Sequence, residues 1–190
     1  EKLSAERKKV SGSLAKEITT ELTALSMPQS QIVVEIESAD SASARNYSDT
    51  GLDEVKFLFT SHTGANPLPL SKAASGGELS RVMLAIEIVL SAKSTIGTYI
   101  FDEVDAGVGG KAAIEVGRRL ARLAKKSQVI VVTHLAQVAV WADNHLVVSK
   151  DESGSYSQSS IRKVDKDERK VEIARLLSGQ EQSSTAQEHA

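Results

Sequence analysis

The chain has 190 residues, 41% of them hydrophobic and 25% charged, and its 23 basic and 25 acidic side chains leave a net charge of −2. This suits one globular domain or lobe and excludes attraction to nucleic acid by overall charge, so any DNA contact must come from a local patch or from other parts of a longer protein. The absence of cysteine excludes a disulfide framework and thiolate metal sites and fits a cytoplasmic location; no apolar run approaches a membrane span and no secretory signal opens the chain.

The chain starts at Glu1 rather than Met, as a piece cut from a longer protein would. Leu3, Val10, Leu14, Ile18, Leu22 and Leu25 recur at helical steps and predict a long helix ended by Pro28. Its apolar stripe is narrow enough for a coiled-coil seam and equally fits a surface helix. Residues 31–38 and the alternating run 53–61, with Val55, Phe57 and Phe59 on one face, predict an antiparallel ribbon. A loop with two prolines, Gly64 to Pro69, follows. Residues 76–92 are apolar nearly all round, which predicts a buried helix. A strand over 98–102 runs into a break at Gly107, Gly109 and Gly110. The helix predicted over 111–126 buries Ala113, Val116, Gly117, Leu120 and Leu123, and exposes Lys111, Arg118, Arg122 and Lys125. The β-branched run 128–132 reads as a strand buried on both faces. A short helix over 135–142, a strand over 144–149, a polar turn at Gly154, a strand over 156–164 and a helix over 167–177 stopped by Gly179 complete the order. Strand–helix–strand alternation predicts an α/β fold with a mostly parallel sheet.

Three motifs sit at element boundaries. Asp102-Glu103 end an apolar strand, where open α/β sheets bind ligands. One acid there can serve Mg²⁺ and its neighbour can accept a proton from an attacking water; alternatively both are strand-end acids in solvent. Ser75-Gly76-Gly77 open the buried helix. Two glycines let backbone N–H groups approach an anion at a helix N-terminus, while Ser75 and Glu78 also have the spacing of a capping box. His134, after the strand ending Val131-Val132-Thr133, can aim an imidazole at a phosphate or serve the fold. Asp105, in the turn before Gly107, can meet a partner subunit or simply shape the turn. His62, His145 and His189 have no supporting context. No GxxxxGK[ST] phosphate loop occurs in the sequence.

Taken together, Pro69 to Arg81, Phe101 to Gly110 and Val131 to Ala139 resemble the corresponding segments of the bacterial RecN family, on the SMC-like branch of ABC ATPases. The similarity is dense from about residue 53 to 150. It implies the C-terminal lobe of an ABC/SMC-type P-loop ATPase head, with an antiparallel ribbon and a coiled-coil stump. Residues 1–27 would end the coiled-coil arm, 28–179 would form the lobe, and 180–190 a polar tail. The N-terminal half of the same head would carry the phosphate loop. ATP with Mg²⁺ would lie between two copies of the head, and DNA would be engaged by the full-length protein in double-strand-break repair and recombination on the nucleoid. By this resemblance Asp102 serves Mg²⁺, directly or through water, Glu103 is the general base, and His134 contacts the γ-phosphate in its own site. Ser75, Gly76, Gly77 and Glu78 belong to the segment facing ATP bound to the second copy, and Asp105 lies at the dimer seam. Alternatives are a non-hydrolysing module of the same fold, or a transporter nucleotide-binding domain; Glu78 after the glycine pair counts against the latter, and membrane partners are not expected. The basic face Lys111, Arg118, Arg122 and Lys125 could touch DNA or be a solvated helix face.

Overall fold

The structure, a computed structural model, describes residues 2–39, 47–91, 96–151 and 158–178. Among these the order is α1 (Lys2–Ala24), β1 (Gln31–Ser38), β2 (Asp53–Thr60), β3 (Leu68–Pro69), α2 (Leu70–Ala73), α3 (Gly76–Leu90), β4 (Thr98–Phe101), α4 (Gly110–Ala124), β5 (Gln128–Val131), α5 (Ala136–Ala139), β6 (His145–Asp151), β7 (Gln158–Val164) and α6 (Lys166–Ser178). Gly154, Gly179 and the tail 180–190 lie outside the described residues.

Helix α1 stops before Pro28. Ser26 takes a left-handed φ of 63°, and Met27 N–H returns to the Leu22 carbonyl at 3.0 Å. That turn satisfies a terminal carbonyl and reverses the chain, so proline is not needed as the stop. The predicted stripe divides in two. Ile18, Leu22 and Leu25 are fully buried, whereas Leu3 and Val10 are exposed. The buried part shares one core with Phe59, Val82, Leu84, Phe101 and Val116. The root of the helix therefore belongs to the lobe. It is tied there by Arg119, which donates to Glu21 at 2.8 Å, while the outer part of α1 is held by Arg7, which pairs with Asp53 at 2.9 Å.

The ribbon forms as expected: β1 and β2 are antiparallel, with Gln31 opposite Thr60 and Ser38 opposite Asp53. Parallel pairing joins β4 to β5, with Phe101 opposite Val131 and α4 as the crossover. The expected mostly parallel sheet is thus one parallel pair, since β2–β3 and β6–β7 are antiparallel. One face of β4 is buried, through Tyr99 and Phe101. The other is open: Ile100 is 71% exposed and, on β5 and just beyond it, Ile130 45% and Val132 58%. The expectation that 128–132 is buried on both faces is therefore not met within this chain. The strand is apolar on both sides, but only one side has helices packed on it.

Helix α4 buries the five residues expected of it. At Gly117 an added Cβ would stand 2.3 Å from Trp141 Cδ1, so only glycine lets the segment after α5 seat on α4. Among the described residues no helix is long and apolar enough to cross a membrane.

Candidate functional site

The parallel pairing of β4 with β5 brings two motifs side by side. Both strands end at the same level, with Phe101 level with Val131, and Val132 N–H donates to the Phe101 carbonyl at 3.0 Å. Asp102-Glu103 and Thr133-His134 therefore leave neighbouring strand ends together, at the carboxyl edge where an α/β sheet presents ligands. Asp102 and Glu103 are exposed. Asp102 Oδ1 accepts the Glu103 N–H at 2.9 Å, and Ser80 Oγ donates to the Asp102 carbonyl at 2.7 Å. Glu103 adopts a left-handed φ of 55°, a conformation costly for a residue with a Cβ and typical of functional turns.

The third motif packs against this turn. Ser75 caps α3, and Glu78 completes the capping box. Glu78 Oε2 accepts both the Ser75 N–H at 3.0 Å and the Ser75 hydroxyl at 2.9 Å. The helix-capping reading of this motif is thus correct in this structure, with the Ser75 hydroxyl and the Glu78 carboxylate engaged with each other. Gly77 is packed against the backbone and methyl of the turn, whereas Gly76 faces only the end of the exposed Glu103 side chain. A methyl at Gly76 would lie 2.7 Å from Glu103 Oε2, and one at Gly77 would lie 2.8 Å from the Ala106 methyl. The Glu103 carboxylate therefore rests against the start of α3 in its own chain, where the helix dipole favours negative charge.

Asp105 is buried within its own chain. Its side chain is only 2% exposed and turns inward to accept a short hydrogen bond from the Thr133 hydroxyl. The His134 Nδ1 is 3.9 Å from the same carboxylate, and the imidazole itself is 76% exposed. The reason is local: the tight turn after β4 points Asp105 back toward β5, while Gly107, with φ of 72°, carries the chain outward.

Two participants carried no assigned role in the sequence reading. Arg81 is a buried cation among the apolar side chains of α3, and Nη1 donates to the carbonyls of Ala106 at 2.7 Å and Val104 at 3.4 Å. Burial pulls its pKa down, with Glu78 and Asp105 opposing that shift. An arginine on the buried face of an apolar helix was the available signal, since such a charge needs partners. Thr133 was visible only as a neighbour of His134.

No group of three or more His, Cys, Asp or Glu side chains among the described residues could hold a metal. A single carboxylate such as Asp102 nevertheless suits Mg²⁺, which is commonly held by one or two carboxylates together with substrate phosphates and water. Two of the four side chains of the basic face, Arg118 and Arg122, are paired. Arg118 meets Glu115 at 3.1 Å and lies 6.0 Å from the Trp141 ring centroid, and Arg122 reaches Glu21 at 3.5 Å. These acids lie beside two of the four basic side chains of the stripe.

A capped glycine-pair helix, a strand ending in two acids and an adjacent strand ending in Thr-His define the lobe of an SMC-type head. The fold likeness bears this out: 94% of the chain superposes on 32% of an Smc head domain with a coiled coil and joint from Pyrococcus yayanosii, with TM-score 0.62 and 19% identity. No family model matches the chain. Curated relatives do. The DNA repair protein RecN of Streptomyces coelicolor is 48% identical over 180 residues, covering 91% of this chain and 32% of the relative. The RecN of Deinococcus radiodurans is 51% identical over 140 residues, covering 74% of this chain and 24% of the relative. The chain belongs to the RecN family, and spans about a third or less of the length of these relatives.

Proposed function

We propose that this lobe supplies one half of each of two ATP sites in a RecN head, and that the complete protein hydrolyses ATP to drive engagement of two heads in DNA double-strand-break repair and recombination. The observation that carries this reading is the meeting of Asp102-Glu103 and His134 on neighbouring strand ends, with the capped Ser75–Glu78 helix start packed on the same turn. The N-terminal half of the head brings the phosphate loop and covers the open apolar side of β4 and β5. Residues 1–27 end the coiled-coil arm. The protein works in the cytoplasm on the nucleoid, and DNA meets the complete protein rather than this lobe.

In the assembled site, Mg²⁺ bound with ATP offsets the charge of the phosphates. Asp102 holds it directly or through water. Glu103 accepts the proton of the attacking water, and His134 donates to a γ-phosphate oxygen. The start of α3, with Ser75, Gly76, Gly77 and Glu78, faces the γ-phosphate held by the second copy. Two rearrangements must accompany engagement. The Ser75 hydroxyl now donates to Glu78 and must turn to donate to phosphate. The Glu103 carboxylate now lies against Gly76 and must leave to make room for an anion there.

The decisive experiment is Glu103→Gln in the complete protein. The amide keeps the shape but accepts no proton, so hydrolysis should fall about 10²-fold or more while ATP still binds. Sedimentation should then show a persistent ATP-bound dimer. Turnover near the unaltered rate would remove Glu103 as the base. Ser75→Arg tests action across the interface. Each head should still bind ATP, but ATP-dependent dimerisation should disappear; a normal dimer would reduce the motif to a helix cap.

A further inference from the structure

We propose that Thr133, Asp105 and Arg81 are positioning residues: they lock His134 and the Asp102-Glu103 turn to the start of α3, so that the two half-sites carried by one chain move as a single body. The inference rests on the ATPase reading above.

Its first support is the burial of Asp105. A carboxylate 2% exposed must be hydrogen-bonded to be tolerated. The Thr133 hydroxyl supplies that bond, and the His134 Nδ1 at 3.9 Å adds a polar neighbour. The second support is the double use of Thr133. The same hydroxyl that donates to Asp105 accepts the Leu135 N–H at 3.1 Å. Residues on both sides of His134 are thereby fixed through one atom. This matters because His134 is 76% exposed and has little packing of its own. Its aim depends on the backbone from 133 to 135.

The third support lies on the other side of Asp105. Arg81 Nη1 binds the carbonyls of Val104 and Ala106, the residues flanking Asp105. Ser80, one residue earlier on α3, binds the Asp102 carbonyl at 2.7 Å. Gly77 closes on Ala106 so tightly that no Cβ fits. The turn 102–106 is therefore held by α3 on one side and by Thr133 on the other. A shift of α3 on meeting a partner's nucleotide would be passed through this turn to Glu103 and His134 of the same chain.

The test uses the complete protein and steady-state hydrolysis with kcat and KM separated. Thr133→Val keeps the shape but removes both hydrogen bonds; Thr133→Ser keeps the hydroxyl. Valine should lower kcat about 10-fold with KM for ATP within about twofold, and serine should restore kcat to within about twofold of the unaltered protein. Glu103→Gln runs beside them. If it fails to stop hydrolysis, the ATPase reading falls. If it stops hydrolysis while Thr133→Val turns over normally, only the positioning role falls. A valine variant that melts earlier and loses kcat and ATP affinity together marks Thr133 as a fold residue and also overturns the proposal. Should the valine variant not fold, Asp105→Asn replaces it. That change keeps the size and an acceptor for Thr133 but removes the charge facing Arg81 and His134, and should lower kcat about threefold; unaltered kcat would overturn the proposal.

Discussion

Where the Ile18–Leu25 end of α1 packs on the β1–β2 ribbon, apolar side chains are buried. On the outer side of β4–β5 and on the β6–β7 hairpin, apolar side chains face solvent. Ile18, Leu22, Leu25 and Phe59 have no exposed surface, while Ile100 is 71%, Val148 66% and Ile161 69% exposed. Both regions are built from the same kind of β-branched and aliphatic sequence. What differs is whether this chain also supplies the layer that covers them. Strand composition records the burial of the finished assembly, and exposed apolar faces of this extent mark surfaces that something else covers. On the proposed reading, the N-terminal half of the head would cover β4–β5.

Substitution separates the two regions. Phe59→Ala, in the closed region, should cost about 3–5 kcal/mol wherever it is measured, by loss of burial plus the cavity left behind. Ile100→Ala, on the open face, should change the stability of the 190-residue chain by no more than about 0.5 kcal/mol. In the complete protein the same change should cost about 2–5 kcal/mol if the face is covered there. Denaturant unfolding of both lengths checks this, and equal small costs for Ile100→Ala in both would leave the open face uncovered.

The smallest effect concerns the ion pair that fastens the outer part of α1. Hydrogen bonding from Ser38, with further help from Arg7 and Ser4, holds the Asp53 pKa at about 2, against an opposing effect of burial. A folded pKa below the unfolded value, about 3.9, means the unfolded chain binds the proton more readily. The stability from Asp53 is therefore complete above about pH 4 and is lost as pH falls toward 2. Asp53→Asn should flatten the acid limb of the stability profile in that window and leave the neutral region with no added slope. An unchanged acid limb would show that the Asp53 carboxylate adds no pH-dependent stability.

The sequence alone determined the element order apart from β3 and α2, the first of which falls in the segment read as a proline loop, together with the buried stripe of α4, the helix cap at Ser75 and the three segments that resemble RecN. These rest on short-range rules: periodicity, capping and strand-end placement act within a few residues and survive without knowledge of neighbours. The tertiary structure decided the rest. Whether β5 is covered on one face or two depends on layers outside the strand. The inward turn of Asp105, the contact of Glu103 with Gly76 and the partners of Arg81 depend on segments about 20 to 30 residues apart meeting at one turn, and nothing within either segment specifies the direction of a side chain across that gap. The end of α1 is a smaller case: Pro28 was the visible stop, but the left-handed turn at Ser26 closes the helix first, because the buried Met27 brings its N–H back to Leu22.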